Sequence, residues 1–282
     1  MQRPSAKELH RILKEHDKWL KDPSTGERAD LTNAYLPGID LRNINLSKAK
    51  LNYTVLNDAN LCNANLRGAE MVGACMNGTN LNNTNLVNTD MRGAALCKAQ
   101  LNRANLSGAN LVRADLNSAI FQRAKLNYTN MTEAHLVHAH LEGCNMFRTH
   151  LRSADMHKAN LRGSVLVDVD LCHADLSGAN LGDVRISDSS LRHANLHEID
   201  LRGATLNNVE TYGCMIPISH ETIGVTIDKR TAANLMYHLL SMYPELRTRD
   251  NCKFANSWRG LEEHDLPRIR VRHENLTSKE NQ

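Results

Sequence analysis

Starting at Leu31 and stepping by five, every position up to Leu206 holds a sizeable apolar residue. There are 36 such positions in succession: 28 Leu, six Met, Phe121 and Ile186. Two places before each stands a small or β-branched residue: 22 Ala, six Thr, three Ile, two Ser, two Val and Cys144. The residue between them is Asn or Asp in 20 of the 36 units, and no insertion interrupts the beat. A straight helix turns about 500° over five residues, so these leucines would wander around all its sides. A continuous strand would send them alternately to opposite faces. Within one unit, however, the leucine and the residue two before it share a face if the chain is extended. The chain must therefore turn between units, and the two residues after each leucine are often Gly, Asn, Ser or Arg, with turn chemistry among them. Four corners close a square coil of 20 residues. In the stretch LNRANLSGANLVRADL this places Leu101, Leu106, Leu111, Leu116 and then Phe121 inside, together with Ala104, Ala109 and Ala114. The prediction is an all-β solenoid of about nine coils spanning residues 29–208.

Two segments break the beat. Residues 1–28 predict a helical cap and a linker: Ser5 with Glu8 makes a capping box, and Leu9, Ile12, Leu13, His16, Trp19 and Leu20 recur on one helical face. Ser5, Trp19 and Leu20 are the candidate cap residues. Residues 209–282 form a small α-containing segment. Thr211 interrupts the leucine series, although Cys214 and Ile216 fit one last irregular side. A second helix is expected over 228–243, with Asp228 or Thr231 as its N-cap and Pro244 just beyond. Its Leu235, Met236, Leu239, Leu240 and Met242 suit either a cap on the rod or a contact between two rods. The last ten or so residues have the composition of a disordered tail.

Units such as Ala104-Asn105-Leu106-Ser107-Gly108 and Ala114-Asp115-Leu116 match the motif A-(D/N)-L-x-x, and over residues 29–208 the chain resembles the pentapeptide-repeat family. The resemblance implies a right-handed quadrilateral β-helix whose neighbouring coils stabilise one another and whose ends need caps. It also implies two partners to consider. The best-understood members imitate duplex DNA and bind DNA gyrase or topoisomerase IV, and related solenoids often dimerise through the C-terminal end.

Composition narrows the function. Three Phe, six Tyr and two Trp are few for 282 residues, so the core must be built from small and medium aliphatic groups. Net charge is +3 with histidines neutral, which makes the whole molecule no strong magnet for nucleic acid or anionic membrane. No run of 18 apolar residues is present, so no membrane span is expected. The charged N-terminus lacks the apolar core of a signal peptide. Seven cysteines without CxxC spacing read as free thiols, and a cytoplasmic location is expected. Asn-x-Ser/Thr triplets at Asn105 and Asn127 read as chance in an Asn-rich repeat.

No catalytic or phosphate-binding motif is present. A rod with a filled core offers no cavity for catalysis, so no enzyme and no cofactor are expected. Stacking 20-residue coils brings Asp115, His135, Asp155 and Asp175 into one outward column, which reads as a solvated polar ladder rather than a metal site. Eight histidines between His135 and His197 all fall on outward positions. Residues 29–208 carry 17 Lys/Arg and 16 Asp/Glu, and the middle is basic: Arg92, Lys98, Arg103, Arg113, Arg123 and Lys125 face only Asp90 and Asp115. That is a poor copy of DNA. Outward aromatics are scattered at Tyr35, Tyr53, Tyr128 and Phe147. The expected function is a non-catalytic scaffold for an unidentified protein partner. Its surface candidates are Arg92, Arg103, Arg113, Arg123, Asp115, His135, Asp155 and Asp175. The alternatives are topoisomerase binding by DNA mimicry and nucleic-acid binding by the basic middle.

Overall fold

The computed structural model describes residues 3–214, 225–228, 230–232 and 269–270. The first element is α1, Ala6–Lys21. Ser5 is its N-cap, accepting a hydrogen bond from the Glu8 amide at 3.2 Å. Glu8 in the first turn and Lys18 and Lys21 in the last complement the helix dipole. One face of α1 lies on the open end of the solenoid, where Leu9, Ile12 and Leu13 pack against the core and His16 is wholly buried. His16 Nδ1 accepts from the Ala29 amide at 3.1 Å, tying the helix to the first coil, and its ring stacks on Trp19. The connection passes so close beneath α1 that a Cβ on Gly26 would run into the Glu15 carbonyl and the Trp19 amide.

The chain then winds as a right-handed quadrilateral β-helix. Residue i pairs in parallel with residue i+20, from Asp30↔Lys50 onward. The coil period therefore equals four units. At the third residue of every corner the backbone is left-handed: all 37 positions from Asn33 to Gly213, five apart, have φ between 52° and 77°. Most corners close as β-turns, as where the Ala109 amide donates to the Leu106 carbonyl at 2.8 Å. A positive φ at the third turn residue suits Gly and Asn best. Only 11 of the 37 are Gly, so many corners hold bulkier residues in a conformation that costs each of them roughly 1 kcal/mol. The ladder between coils compensates. The Leu106 amide, for example, donates to the Lys125 carbonyl and the Lys125 amide to Ala104.

Inside, the leucine column is sealed. Leu106, Leu111, Leu116 and Phe121 are 0% exposed and Leu101 is 1%, with Ala104, Ala109 and Ala114 beside them at 0–1%. Where Thr, Ser or Cys replaces Ala, its polar atom donates to a backbone carbonyl, in most cases one of the coil before; Thr89 and Ser189 use Leu86 and Ser187 of their own coil. Thr129 Oγ1 donates to the Leu106 carbonyl at 2.9 Å, Ser164 Oγ to Leu141 at 2.6 Å and Cys144 Sγ to Phe121 at 3.0 Å. A buried hydroxyl is tolerated there because it is bonded.

On one side of the coil the last turns flatten into short parallel strands: β1 Asn145–Phe147, β2 Val165–Val167, β3 Arg185–Ser187 and β4 Thr205–Asn207. β5, Thr226–Ile227, continues them in parallel, and β6, Ile269–Arg270, pairs antiparallel with β5. The corner geometry runs past residue 208. Thr211 occupies a leucine position, 1% exposed, and Cys214 is buried behind it. Asp228 Oδ1 caps the Thr231 amide at 3.0 Å as helical backbone begins at 230, and Thr231 Oγ1 accepts from the Val209 amide at 2.9 Å. The rest of the helix expected over 228–243, including the apolar residues proposed for a cap or dimer contact, lies outside the described residues, as do Ile216 and the tail.

Candidate partner-binding faces

Everything that a partner can touch on this rod is an outward side chain, so the geometry of those positions decides what the rod can bind. The middle residue of each unit points away from the core but does not hang free. Of the 20 Asn or Asp residues there, 19 accept a hydrogen bond on Oδ1 from the amide two residues on, at 2.9–3.3 Å. This local bond satisfies the corner amide that the ladder leaves over. Where the middle residue is Glu70, Cys75, Ala95, Gln100 or His135, an Asn of the coil before takes over: Asn52, Asn57, Asn77, Asn82 and Asn117 each accept from the corresponding amide at 2.9–3.0 Å. Asn145 is the exception among the 20, and there Asn127 accepts from the Phe147 amide.

Each side of the coil can be labelled by its middle residue between 101 and 120: Asn105, Asn110, Asp115 and Ile120. The candidate surface residues divide among these sides rather than forming one patch. Arg92 and Arg113 sit at the corner between the Asn110 and Asp115 sides. Both are engaged, Arg92 with Asp90 at 2.7 Å and Arg113 with Glu133. The Asp90 carboxyl is held below its ordinary range by its hydrogen bonds to Arg92, and Glu133 likewise by Arg113. Arg103 and Arg123 stack at the diagonally opposite corner, with Lys125 beside them. No carboxylate lies within ion-pair distance of these three among the described residues, nor of Arg67.

Asp115, His135, Asp155 and Asp175 do form one ladder on the Asp115 side. Their carboxylates turn toward corner groups instead of toward His135: Asp115 accepts from the Asn117 amide, Asp155 from His157, and Asp175 from both the amide and hydroxyl of Ser177. Among the described residues no group of three or more His, Cys, Asp or Glu side chains is arranged to hold a metal. The histidines mix with aromatics at the C-terminal end: His173 stacks on His193 at 5.0 Å, and His193 meets Tyr212 edge-on at 5.5 Å. Tyr128 and Phe147 pack edge-to-face at 5.3 Å, with the Arg148 guanidinium over the Phe147 ring. The six described cysteines are free. Burial pushes the Cys144 and Cys214 thiols up to about 12, and burial with a hydrogen bond to Asp115 pushes Cys97 up to about 11, so these three are not primed as nucleophiles. A surface cleft of about 330 Å³ is lined by Arg162, Asp183 and Arg202.

Two features leave no local signal in the sequence. One is the close approach at Gly26. Eight of the 11 corner glycines lie beneath a side chain 20 residues earlier, as Gly73 does beneath Tyr53, Gly108 beneath Asn88, Gly143 beneath Arg123 and Gly213 beneath His193, whereas Gly38, Gly93 and Gly163 have open space there. A missing side chain in one coil makes room for a large one in the coil before.

The family model "Pentapeptide repeats", in 8 copies, matches residues 27–57, 44–83, 74–111, 99–136, 129–168 and 164–208. No curated protein matches the chain in sequence. Among solved structures, it is similar to HetL, a pentapeptide repeat protein involved in heterocyst differentiation regulation from the cyanobacterium Nostoc sp. strain PCC 7120. The two share 25% identity over 74% of this chain and 93% of that one, with a TM-score of 0.65. It is also similar to full-length QnrB1, a plasmid-mediated fluoroquinolone resistance protein, at 18% identity over 73% of this chain and 96% of that one, with a TM-score of 0.25. Rfr23 from the cyanobacterium Cyanothece 51142 matches at 20% identity over 71% of this chain and 99% of that one, with a TM-score of 0.17.

Proposed function

This chain belongs to the pentapeptide-repeat family, and from that premise we propose that it is a non-catalytic scaffold whose outward faces bind another protein. The observation that carries this reading is the division of labour in each unit. Core positions are filled with apolar side chains, and the polar groups are displayed on the outside of a stiff ladder. Such a rod presents fixed patterns of donors and charges without ordering entropy on binding. Free cysteines are consistent with a reducing, cytoplasmic setting. Among the described residues no helix is long and apolar enough to cross a membrane.

DNA mimicry is the weaker reading. It calls for acidic columns, whereas many carboxylates of this rod are locked to arginines, as Asp40 is to Arg42, Asp168 to Arg148 and Asp200 to Arg202. A gyrase supercoiling assay should accordingly show no change when the protein is added. Affinity capture after cross-linking in the native host tests the scaffold reading: reproducible enrichment of a protein is expected, and recovery of nothing above background contradicts it. A homodimer through residues 209–282 is part of the same proposal. It predicts twice the monomer mass in solution, and a monomer that persists at high concentration removes it.

A further inference from the structure

The four sides of the coil differ in one respect that bears directly on the partner. Along the middle column of the Asn105 side, from Asn45 to Thr205, no position is acidic. Each of the other three columns contains acids, among them Asp30, Glu70 and Asp90 on the Asn110 side, Asp155 and Asp175 on the Asp115 side, and Asp40 and Asp200 on the Ile120 side. Taken with its two flanking corners over five successive coils, 42–48 to 122–128, the Asn105 side offers 25 outward positions: 11 are Asn, six are Lys or Arg and none is Asp or Glu. Of those six cations only Arg42 is paired, with Asp40 of the neighbouring side. Lys48, Arg67, Arg103, Arg123 and Lys125 have no carboxylate within reach among the described residues.

The asparagines add a second, independent bias. Asn45, Asn65, Asn85 and Asn105 each spend Oδ1 on the corner amides of Ser47, Arg67, Val87 and Ser107. Asn105 Oδ1 also accepts from Ser107 Oγ, and Asn65 Oδ1 from Asn85 Nδ2. Their oxygens are consumed inside the fold, so the column turns N–H donors outward. With the oxygens of the middle column engaged, this side presents cations and amide donors and carries no carboxylate. A carboxylate-rich partner fits that pattern, since donors and cations together make charge-assisted bonds to it.

Building on the scaffold reading, we propose that this side, centred on Asn65, Asn105, Arg103, Arg123 and Lys125, is the docking face for an acidic protein segment laid along the rod. An acidic peptide is favoured over a nucleic acid because Tyr128, packed edge-to-face with Phe147, is the one aromatic among these 25 positions, whereas single strands are held by successive aromatic platforms.

Two variants of the full chain test this with labelled oligo-glutamate as the probe and oligo-thymidylate of equal charge as the competitor class. R103Q/R123Q/K125Q removes the cations. N65D/N105D keeps the oxygen that caps each corner and replaces only the donor, so the fold is retained; Asp175 already makes that bond to Ser177. Each variant should weaken oligo-glutamate binding about tenfold at low salt. R92Q/R113Q/R152Q, which removes the same charge from the diagonally opposite corner, should leave it unchanged. Equal losses from both arginine-containing triples, no binding by the wild type, or tighter binding of oligo-thymidylate would each overturn the proposal. A partner cross-linked in the host but captured equally by N65D/N105D would overturn the face assignment while sparing the scaffold reading; no partner at all would sink the scaffold reading itself.

Discussion

The leucine column and the asparagine column run side by side for the length of the rod, and both hold the fold together, by different physics. The leucines act through burial, which is non-directional and tolerates Met, Phe121 or Ile186 in place of Leu. The asparagines act through one directional bond, in which Oδ1 accepts from the amide two residues on; Asp keeps that bond, and where other residues stand an Asn of the coil before can supply the acceptor. The inner column therefore works through volume, and the outer one, where it holds Asn or Asp, through a single accepting atom. That difference leaves the outer column free to vary its remaining atoms, and the partner reads those.

The most severe way to break the comparison is to give the inner column an outer residue. Leu106→Asp buries a carboxylate among stacked leucines and should cost several kcal/mol, seen as loss of the cooperative thermal transition; a Tm within a few degrees of wild type would contradict the inside assignment. The cap is next. Gly26→Ala drives a methyl into the Glu15 carbonyl and the Trp19 amide. A cost of about 1–3 kcal/mol is expected, with Trp19 fluorescence shifting as α1 lifts from the first coil. If stability is unchanged, the close approach is not real.

His16 gives a pH-dependent effect at the same interface. Burial, helped by the positive charge of Arg28, lowers its pKa below the ordinary histidine value. The unfolded chain therefore takes up a proton before the folded one does. The stability tied to neutral His16 is complete above the unfolded pKa and is lost as pH falls from there through the lower folded pKa. Urea midpoints should fall between about pH 7.5 and about pH 5.5, and His16→Gln should flatten that slope. An unaltered slope would remove His16 as its source.

The sequence makes the inner column fully legible, because a five-residue beat of Leu and Ala has one economical packing. It also makes Ser5, Trp19 and the helical face of α1 legible, since capping and 3.6-residue spacing are local signals. The outer column reads only as polar. Nothing in a string of Asn and Asp says that their oxygens are taken, since that depends on a corner geometry set by the coil. The charge of each side is hidden for a related reason. Arg92, Arg103, Arg113 and Arg123 look like one basic stretch along the chain, but winding sends two of them to acids at one corner and leaves two at the opposite one with no carboxylate in reach among the described residues.

The smallest effects are the most discriminating. Asn105→Ala and Asn105→Asp remove and retain, respectively, the acceptor for Ser107, and the paired comparison is thermal unfolding of the two variants beside the wild type. The account predicts a loss of about 1 kcal/mol for the alanine and near-native stability for the aspartate. Equal stabilities for the two variants would contradict the claim that the outward asparagine is a structural acceptor whose remaining donor is free to meet a partner.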